Sequence, residues 1–369
     1  MRGLSRITQL FALTVLSAAL LTACGTELGG TGVLVEEPNE VFCNVAVDEL
    51  TSVLIPEAIP ALEDPPFIPA DHADASYVVD DARVVGFMLE GEPLAIPLNV
   101  LRFHEIVNLT RATMGIAVTF CPLTGSSLVF DRSNIGGVEV GVSGLLHLNN
   151  LVIYDREEPA SFFTQMRGGA ATCGPSARSG VSLSVVPSVE IRWDAWKRLH
   201  PNTVVVSQDT GALNFGSYEV NKDAEYERID NPFLLVPFPV DPRRPVKERV
   251  LGIPLVGDGG LAFPFEDLRR QERQAISVLN GTSVVFWDRS ADAAMAFSSE
   301  VDGQELTFET SATGFVDEQT GSDWRFDGLA ISGPHTGRQL EQITSSFVSF
   351  WFAWAAFFSE TVLWDGVAD

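Results

Sequence analysis

The sequence predicts an α+β, strand-rich fold built from two tandem pseudo-repeats of one unit, packed together with short helices at the repeat interface. Three observations carry this expectation. Short alternating or β-branched runs recur between Gly, Asn and Asp turn signals, the pattern of half-buried strands. Helical spacing is confined to a few brief stretches. Blocks from the first half also return in the same order in the second, and such self-similarity governs how the rest is read.

The chain opens with Arg2 and Arg6 ahead of the apolar run "LFALTVLSAAL", a secretory signal pattern. The run ends in Leu21-Thr22-Ala23-Cys24, which resembles the bacterial lipobox. Residues 1–23 are therefore expected to be a lipoprotein signal peptide and Cys24 the lipidated first residue of the mature chain. The apolar core is too short for a retained membrane span. The protein is expected to be exported and anchored in the bacterial envelope, its membrane contact being the N-terminal lipid. Gly25 in place of the Asp that signals inner-membrane retention points to the outer membrane, where one exists. Residues 24–80 combine the lipid cysteine with a tether and an extended segment rich in Pro, Glu and Asp.

The 369-residue chain carries 49 acidic against 24 basic residues, a balance that argues against nucleic acid as a partner. Apart from Cys24 there are three cysteines, Cys43, Cys121 and Cys173. An exported protein sits where disulfides form. Three being odd, one thiol must stay unpaired within the chain, and the pairing is open, with Cys121–Cys173 among the possibilities. No CxxC pair occurs, which excludes a dithiol redox motif.

Repeat 1 spans 81–206 and repeat 2 spans 249–369, joined by a connecting segment over 207–248. "RVVGFMLEGEPLAIPLNVL" (83–101) matches "RVLGIPLVGDGGLAFPFEDL" (249–268), and "GIAVTF" (115–120) matches "GTSVVF" (281–286). "TCGPSARSGVSL" (172–183) parallels "ISGPHTGRQLEQ" (331–342), and "RWDAWKRLHPNTVV" (192–205) parallels "FWFAWAAFFSETVL" (350–363). Strands are expected at 83–89, 115–120, 126–131, 138–143 and 151–155. "SNIGGV" and "EVDGQEL" read as hairpin turns, and "GDGG" (257–260) as a hairpin, not a phosphate loop. Helices are expected near 99–108 and 190–199, the second presenting Trp193, Trp196 and Leu199 on one face. "FVSFWFAWAAFF" is apolar all round and reads as a buried helix between the copies.

Several stretches together are similar to the bacterial family called domain of unknown function 3179. They are "LRFHEIVN" (101–108), "VTFCPLTGSSLVFDR" (118–132), "VSGLLHLNNLVIYD" (142–155) and the "W..W..LHPNT" pattern (193–203). The later "VDEQTGSDWRFDGLAISGPHTGRQL" and "FWFAWAAFF" resemble its C-terminal half, so the likeness runs from about Ile59 to Trp364. The resemblance implies an exported or lipid-anchored bacterial protein with no assigned activity. Where the family typically has Cys-Pro-Leu-Cys-Gly, this chain has Cys121-Pro122-Leu123-Thr124-Gly125, which puts any two-thiol chemistry in doubt.

Comparing the copies singles out candidates. His104-Glu105 faces Gln271-Glu272 and Cys121 faces Trp287, so the first copy holds an imidazole and a thiol that the second lacks. A thiolate and an imidazole suit copper or zinc, with Glu105 as a third donor. They would equally suit an activated thiol nucleophile. Ser143, His147 and Asp155 are weaker candidates; Asp155 and Asp131 read as turn residues. Three readings follow. The first is non-catalytic binding of a small ligand or metal ion in repeat 1. The second is a thiol-dependent enzyme using Cys121 with His104, and the third a purely structural envelope protein. The balance leans away from an enzyme.

Overall fold

The computed structural model describes residues 41–111, 114–212 and 218–366. The expected signal peptide and Cys24 lie outside the described residues. Among the described residues helices are few and at most seven residues long, so the body is strand-rich α+β. No helix among the described residues is long and apolar enough to cross a membrane.

Two sheets share one plan. In the first half the order is Ser188–Arg192, Arg83–Leu89, Glu92–Pro97, Val204–Val206, Phe67–Pro69. In the second it is Phe347–Phe350, Arg249–Pro254, Gly259–Pro264, Glu360–Leu363. In both, the first three strands are antiparallel and the fourth joins parallel to the third. A parallel neighbour requires a crossover. Helices Trp193–Leu199 and Trp351–Phe357 supply it. Each helix drops a tryptophan onto a strand glycine. A Cβ on Gly86 would lie 2.5 Å from the Trp196 ring, and one on Gly252 would lie 2.1 Å from that of Trp354. Each indole N–H then donates to a threonine hydroxyl seven residues on, Trp196 to Thr203 and Trp354 to Thr361, both at 2.8 Å.

A second sheet in each half begins beyond a short helix. In the first half it runs Ser184–Val186, Ser126–Asp131, Met114–Cys121, Ile106–Arg111, Leu62–Glu63. Its counterpart has three strands, Arg273–Val278, Ser283–Asp288 and Ala293–Ser298. A further sheet made of Leu50–Ser52, Gly141–His147, Asn150–Tyr154, Phe162–Thr164 and Ala170–Cys173 lies in the first half, and the second half has a three-stranded sheet of Phe308–Thr310, Phe315–Asp317 and Asp323–Trp324.

The halves pack reciprocally. The Arg192 amide donates to the Ala291 carbonyl at 3.0 Å, and the Phe350 amide donates to that of Thr124 at 2.8 Å. The apolar clusters are mixed for this reason. One joins Val84, Ile96 and Trp196 to Phe286, Phe315 and Trp324. Another joins Phe130 and Ile153 to Phe350, Trp351 and Trp354.

Several boundaries differ from expectation. The first helix stops at His104 and Ile106–Arg111 is a strand, because the β-branched Ile106 and Val107 prefer the pleated surface they pair on. Ser188–Arg192 is likewise strand, the helix beginning at Trp193. Of "FVSFWFAWAAFF", the first four residues form an inner strand edge and only Trp351–Phe357 is helical. "SNIGGV" is no hairpin: a 3₁₀ turn at Ser133–Ile135 carries the chain to a different sheet. Asp302-Gly303 does make the expected two-residue hairpin, with φ of 50° and 82°. Cys43 pairs with Cys173 across 130 residues, not Cys121 with Cys173, and Cys121 is the unpaired, buried thiol.

Candidate functional site

Helix Leu98–His104 delivers His104 and Glu105 to the rim of the first-half core, and strand Met114–Cys121 brings Cys121 up beside them. His104 is 1% exposed and both its ring nitrogens are engaged. Nδ1 lies 2.8 Å from the Pro60 carbonyl, which can only accept, so Nδ1 carries the proton. Nε2 then accepts from the Tyr218 hydroxyl at 2.6 Å. Burial pushes the imidazole pKa down, which favours this neutral form. No nitrogen lone pair is left to ligate a metal or accept a proton from a thiol.

Glu105 ends the helix at φ 58°, ψ −30°, a region costly for a residue with a Cβ. Its amide donates to the Leu101 carbonyl and its carbonyl accepts from the Phe120 amide. Its carboxyl pKa is raised to about 7, chiefly by burial; Lys222 pulls it down and Asp223 pushes it up.

The Cys121 thiol is 1% exposed and reaches the Asn149 carbonyl at 3.6 Å. Burial first, and the nearby Glu105 charge second, push its pKa to about 11. The charged neighbour of the thiol is thus a carboxylate, and no hydrogen bond or ring contact joins it to His104 among the described residues. A connecting-segment roof closes over it. The Tyr226 hydroxyl donates to the Leu123 carbonyl at 2.7 Å, and the Asn149 amide grips the Val236 backbone through both its atoms. Lys247 lies 3.5 Å from the Tyr226 ring centroid and donates to the Phe233 carbonyl.

Below the thiol, Thr124 belongs to a buried network that composition alone did not reveal. Ser126 donates to Gln165 Oε1 at 2.7 Å, Asn150 donates to the same oxygen at 2.9 Å, and Gln165 donates to Thr119 at 2.9 Å. Each of these amides is satisfied by partners from three strands and a 3₁₀ turn, so the network fixes their packing. Alternation of polar residues inside otherwise apolar strands was its one signal in the chain.

The remaining candidates stand apart. Ser143 donates to the Val152 carbonyl and accepts from the Leu145 amide. His147 Nδ1 meets the Thr164 hydroxyl at 3.1 Å, while Nε2 sits 3.3 Å from Glu49 without hydrogen-bond geometry. Asp155 accepts from the Ser161 and Glu157 amides and holds a turn. Among the described residues, no three His, Cys, Asp or Glu side chains are grouped to hold a metal ion.

Cys121 pairs with Ser126 across a four-residue turn, and in the second half Asp288 pairs with Ala293 across a turn of the same length.

The second half holds a cleft of about 880 Å³. Its walls are the strand Arg273–Val278 on one side and Val362–Trp364 on the other, with Phe263 and Phe308 at its base. Ala275–Val278, Leu279, Ser283 and Thr307 contribute backbone and hydroxyl groups. Three carboxylates, Glu309, Glu318 and Asp365, lie on the wall with no lysine or arginine among them.

No curated protein and no solved structure matches the chain. The model of the family described as protein of unknown function (DUF3179) matches residues 56–361, more than half of the sequence, with His104 and Cys121 inside it. The chain belongs to that family.

Proposed function

We propose that this is an exported, lipid-anchored protein of the bacterial envelope that acts by binding, without thiol or metal chemistry. The observation that carries the reading is the closure of the first-half pair. A thiol held at about pKa 11 under a roof, beside an imidazole with both nitrogens bonded, has neither the charge nor the access that a nucleophile or a metal site needs. Export is supported by the Cys43–Cys173 disulfide, which suits an oxidising compartment. It also ties the start of the described chain to the body, 19 positions after the expected lipid at Cys24.

We also infer a duplicated body, with repeats at 81–206 and 249–369 about the connecting segment 207–248. The shared sheet order, the paired Trp–Gly–Thr contacts and the reciprocal Arg192 and Phe350 amide bonds support it. On this reading the first half is the closed scaffold, and binding belongs to the open cleft of the second. The first-half ligand expected from the comparison of copies has less support, since its donors are already spent.

The test is thiol accessibility together with partitioning. Iodoacetamide at pH 7.5 is expected to leave Cys121 unmodified in the folded protein and to label it fully in denaturant. Added copper or zinc is expected to leave the melting temperature unchanged. The wild-type chain is expected in the detergent phase and a Cys24→Ser variant unprocessed. Rapid native labelling, or stabilisation by metal that is lost in His104→Ala, would defeat the reading.

A further inference from the structure

The same gap between two sheet edges is filled in the first half and open in the second. In the first half the chain's own residues 62–70, Leu-Glu-Asp-Pro-Pro-Phe-Ile-Pro-Ala, run along it. Leu62–Glu63 adds a parallel strand to Ile106–Arg111, and the Asp64 amide donates to the Asn108 carbonyl at 2.9 Å. The Asp64 carboxylate then accepts from the Thr110 amide at 2.6 Å. After two prolines, Phe67–Pro69 adds an antiparallel strand to Val204–Val206, flanked by bonds from Ser207 to Pro66 and from Ala70 to Thr203. One segment thus caps both edges, and Leu62 is 2% exposed beneath it.

The equivalent edges in the second half are identified by shared bonds. Thr203 and Thr361 each accept from the tryptophan of their crossover helix, so Val204–Val206 corresponds to Val362–Trp364. Glu105 and Glu272 each accept, through the carbonyl, a hairpin amide from Phe120 or Arg289, so Ile106–Arg111 corresponds to Arg273–Val278. Both second-half strands are sheet edges, and they face each other across the 880 Å³ cleft. Ala275 and Ser277, the counterparts of Asn108 and Thr110, make no backbone hydrogen bond on their outer side among the described residues, and Phe308–Thr310 runs close by without pairing with them. Of the outer groups of Glu360–Leu363, the Thr361 carbonyl takes the Arg243 guanidinium, and no strand covers Leu363.

Open edges that face each other are templates for strand addition, and proteins normally blunt or cover them. Here the wall instead exposes apolar side chains, with Val362 at 62% and Leu279 at 37%. The Trp364 indole nitrogen and Gln274 Oε1 are buried beside the edges without partners among the described residues. The carboxylates Glu309 and Glu318 set the sign of the charge that a guest must carry.

We propose that the second-half cleft docks an extended, proline-containing segment of a partner protein, apolar at alternate positions and basic around them, which adds a strand to each open edge. Main-chain bonds to the edges supply affinity, and the apolar base and acidic wall select the side chains. The proposal rests on the binding role assigned above to this cleft.

The probe is the nonapeptide of residues 62–70 carrying Glu63→Lys and Asp64→Lys, titrated into the mature chain and followed by hydrogen exchange. It is expected to slow exchange at least tenfold at Ala275–Val278 and at Leu363–Trp364. The unmodified acidic peptide is expected to bind at least tenfold more weakly. N-methylation of the probe at Ile68, the residue that pairs with Val205 in the first half, is expected to cost a further tenfold. The proposal is overturned if no peptide protects either strand, or if the N-methylated probe binds as well as its parent. It is equally overturned if both strands are already protected in the peptide-free chain and lose that protection when residues 25–40 are deleted. A silent Cys121 combined with a failed peptide removes the docking proposal alone, whereas a reactive Cys121 removes the binding reading beneath it.

Discussion

Glu105 shows how one residue can join strain, charge and pH response. It carries an L side chain at φ 58° with a carboxyl held near pKa 7 by burial. Because the folded pKa lies above the ordinary 4.5, the folded state binds the proton more tightly than the unfolded chain. The stability linked to that proton is complete below about pH 4.5 and is lost as pH rises through 7. Glu105→Gln is therefore expected to raise stability at pH 8 by about 2 kcal/mol, after discounting for partial exposure, and to change it little at pH 4. Urea melts at the two pH values check this; equal shifts at both would contradict it. His104, Glu105 and Cys121 were legible as candidates because they are unusual residue types at a junction. Their partners were not. Tyr218, Tyr226 and Val236 lie in a segment whose sequence carries no periodic pattern, and only the fold brings the first to His104 and the other two over the thiol.

At the scale of elements, the crossover helices are held by tryptophan rings seated where a strand lacks a Cβ. Gly86→Ala and Gly252→Ala are each expected to cost about 1–3 kcal/mol, since the ring must move away from the new carbon. Gly259→Ala, whose added carbon would meet its nearest atom at 3.4 Å, is expected to cost less than either. Thermal melts of the three variants rank them, and equal losses would remove the steric explanation. The Cys43–Cys173 bridge closes a long loop, so Cys43→Ser with Cys173→Ser is expected to destabilise by about 2–5 kcal/mol. Denaturant titration under oxidising conditions measures it. The strands and the Asp-Gly hairpin were readable because alternation and turn chemistry are local. Helix starts were misplaced where a strand runs directly into a helix without a cap residue, as at Arg192–Trp193 and Phe350–Trp351.

Across the whole molecule, the two halves share their apolar clusters and ion pairs. Glu190, 4% exposed, accepts from Arg83 at 2.7 Å and from Arg249 at 2.8 Å, so one carboxylate links the equivalent arginines of the two halves. Removing it would leave Arg83 with Glu227 and Arg249 with Asp292, so neither guanidinium loses its last carboxylate. Glu190→Ala is expected to cost about 1–3 kcal/mol, read from the shift of a single unfolding transition. The apolar clusters draw on both halves as well, so a fragment of residues 41–206 is expected to lack cooperative melting by circular dichroism. A fragment that melts sharply by itself would show that the halves are independent.

The chain by itself determined what depends on neighbours in sequence: the strand-rich α+β character, the recurring blocks, the acidic balance and the family. Those follow from side-chain periodicity, turn residues and composition, which act over a few residues at a time. Tertiary structure alone decided which cysteines pair, that the first-half thiol is sealed, and that the edges covered by residues 62–70 in one half stand open in the other. Each of those depends on where segments more than 35 residues apart come to rest, as residue 62 does beside residue 107. Burial and edge pairing are properties of that final arrangement, and no local pattern encodes them.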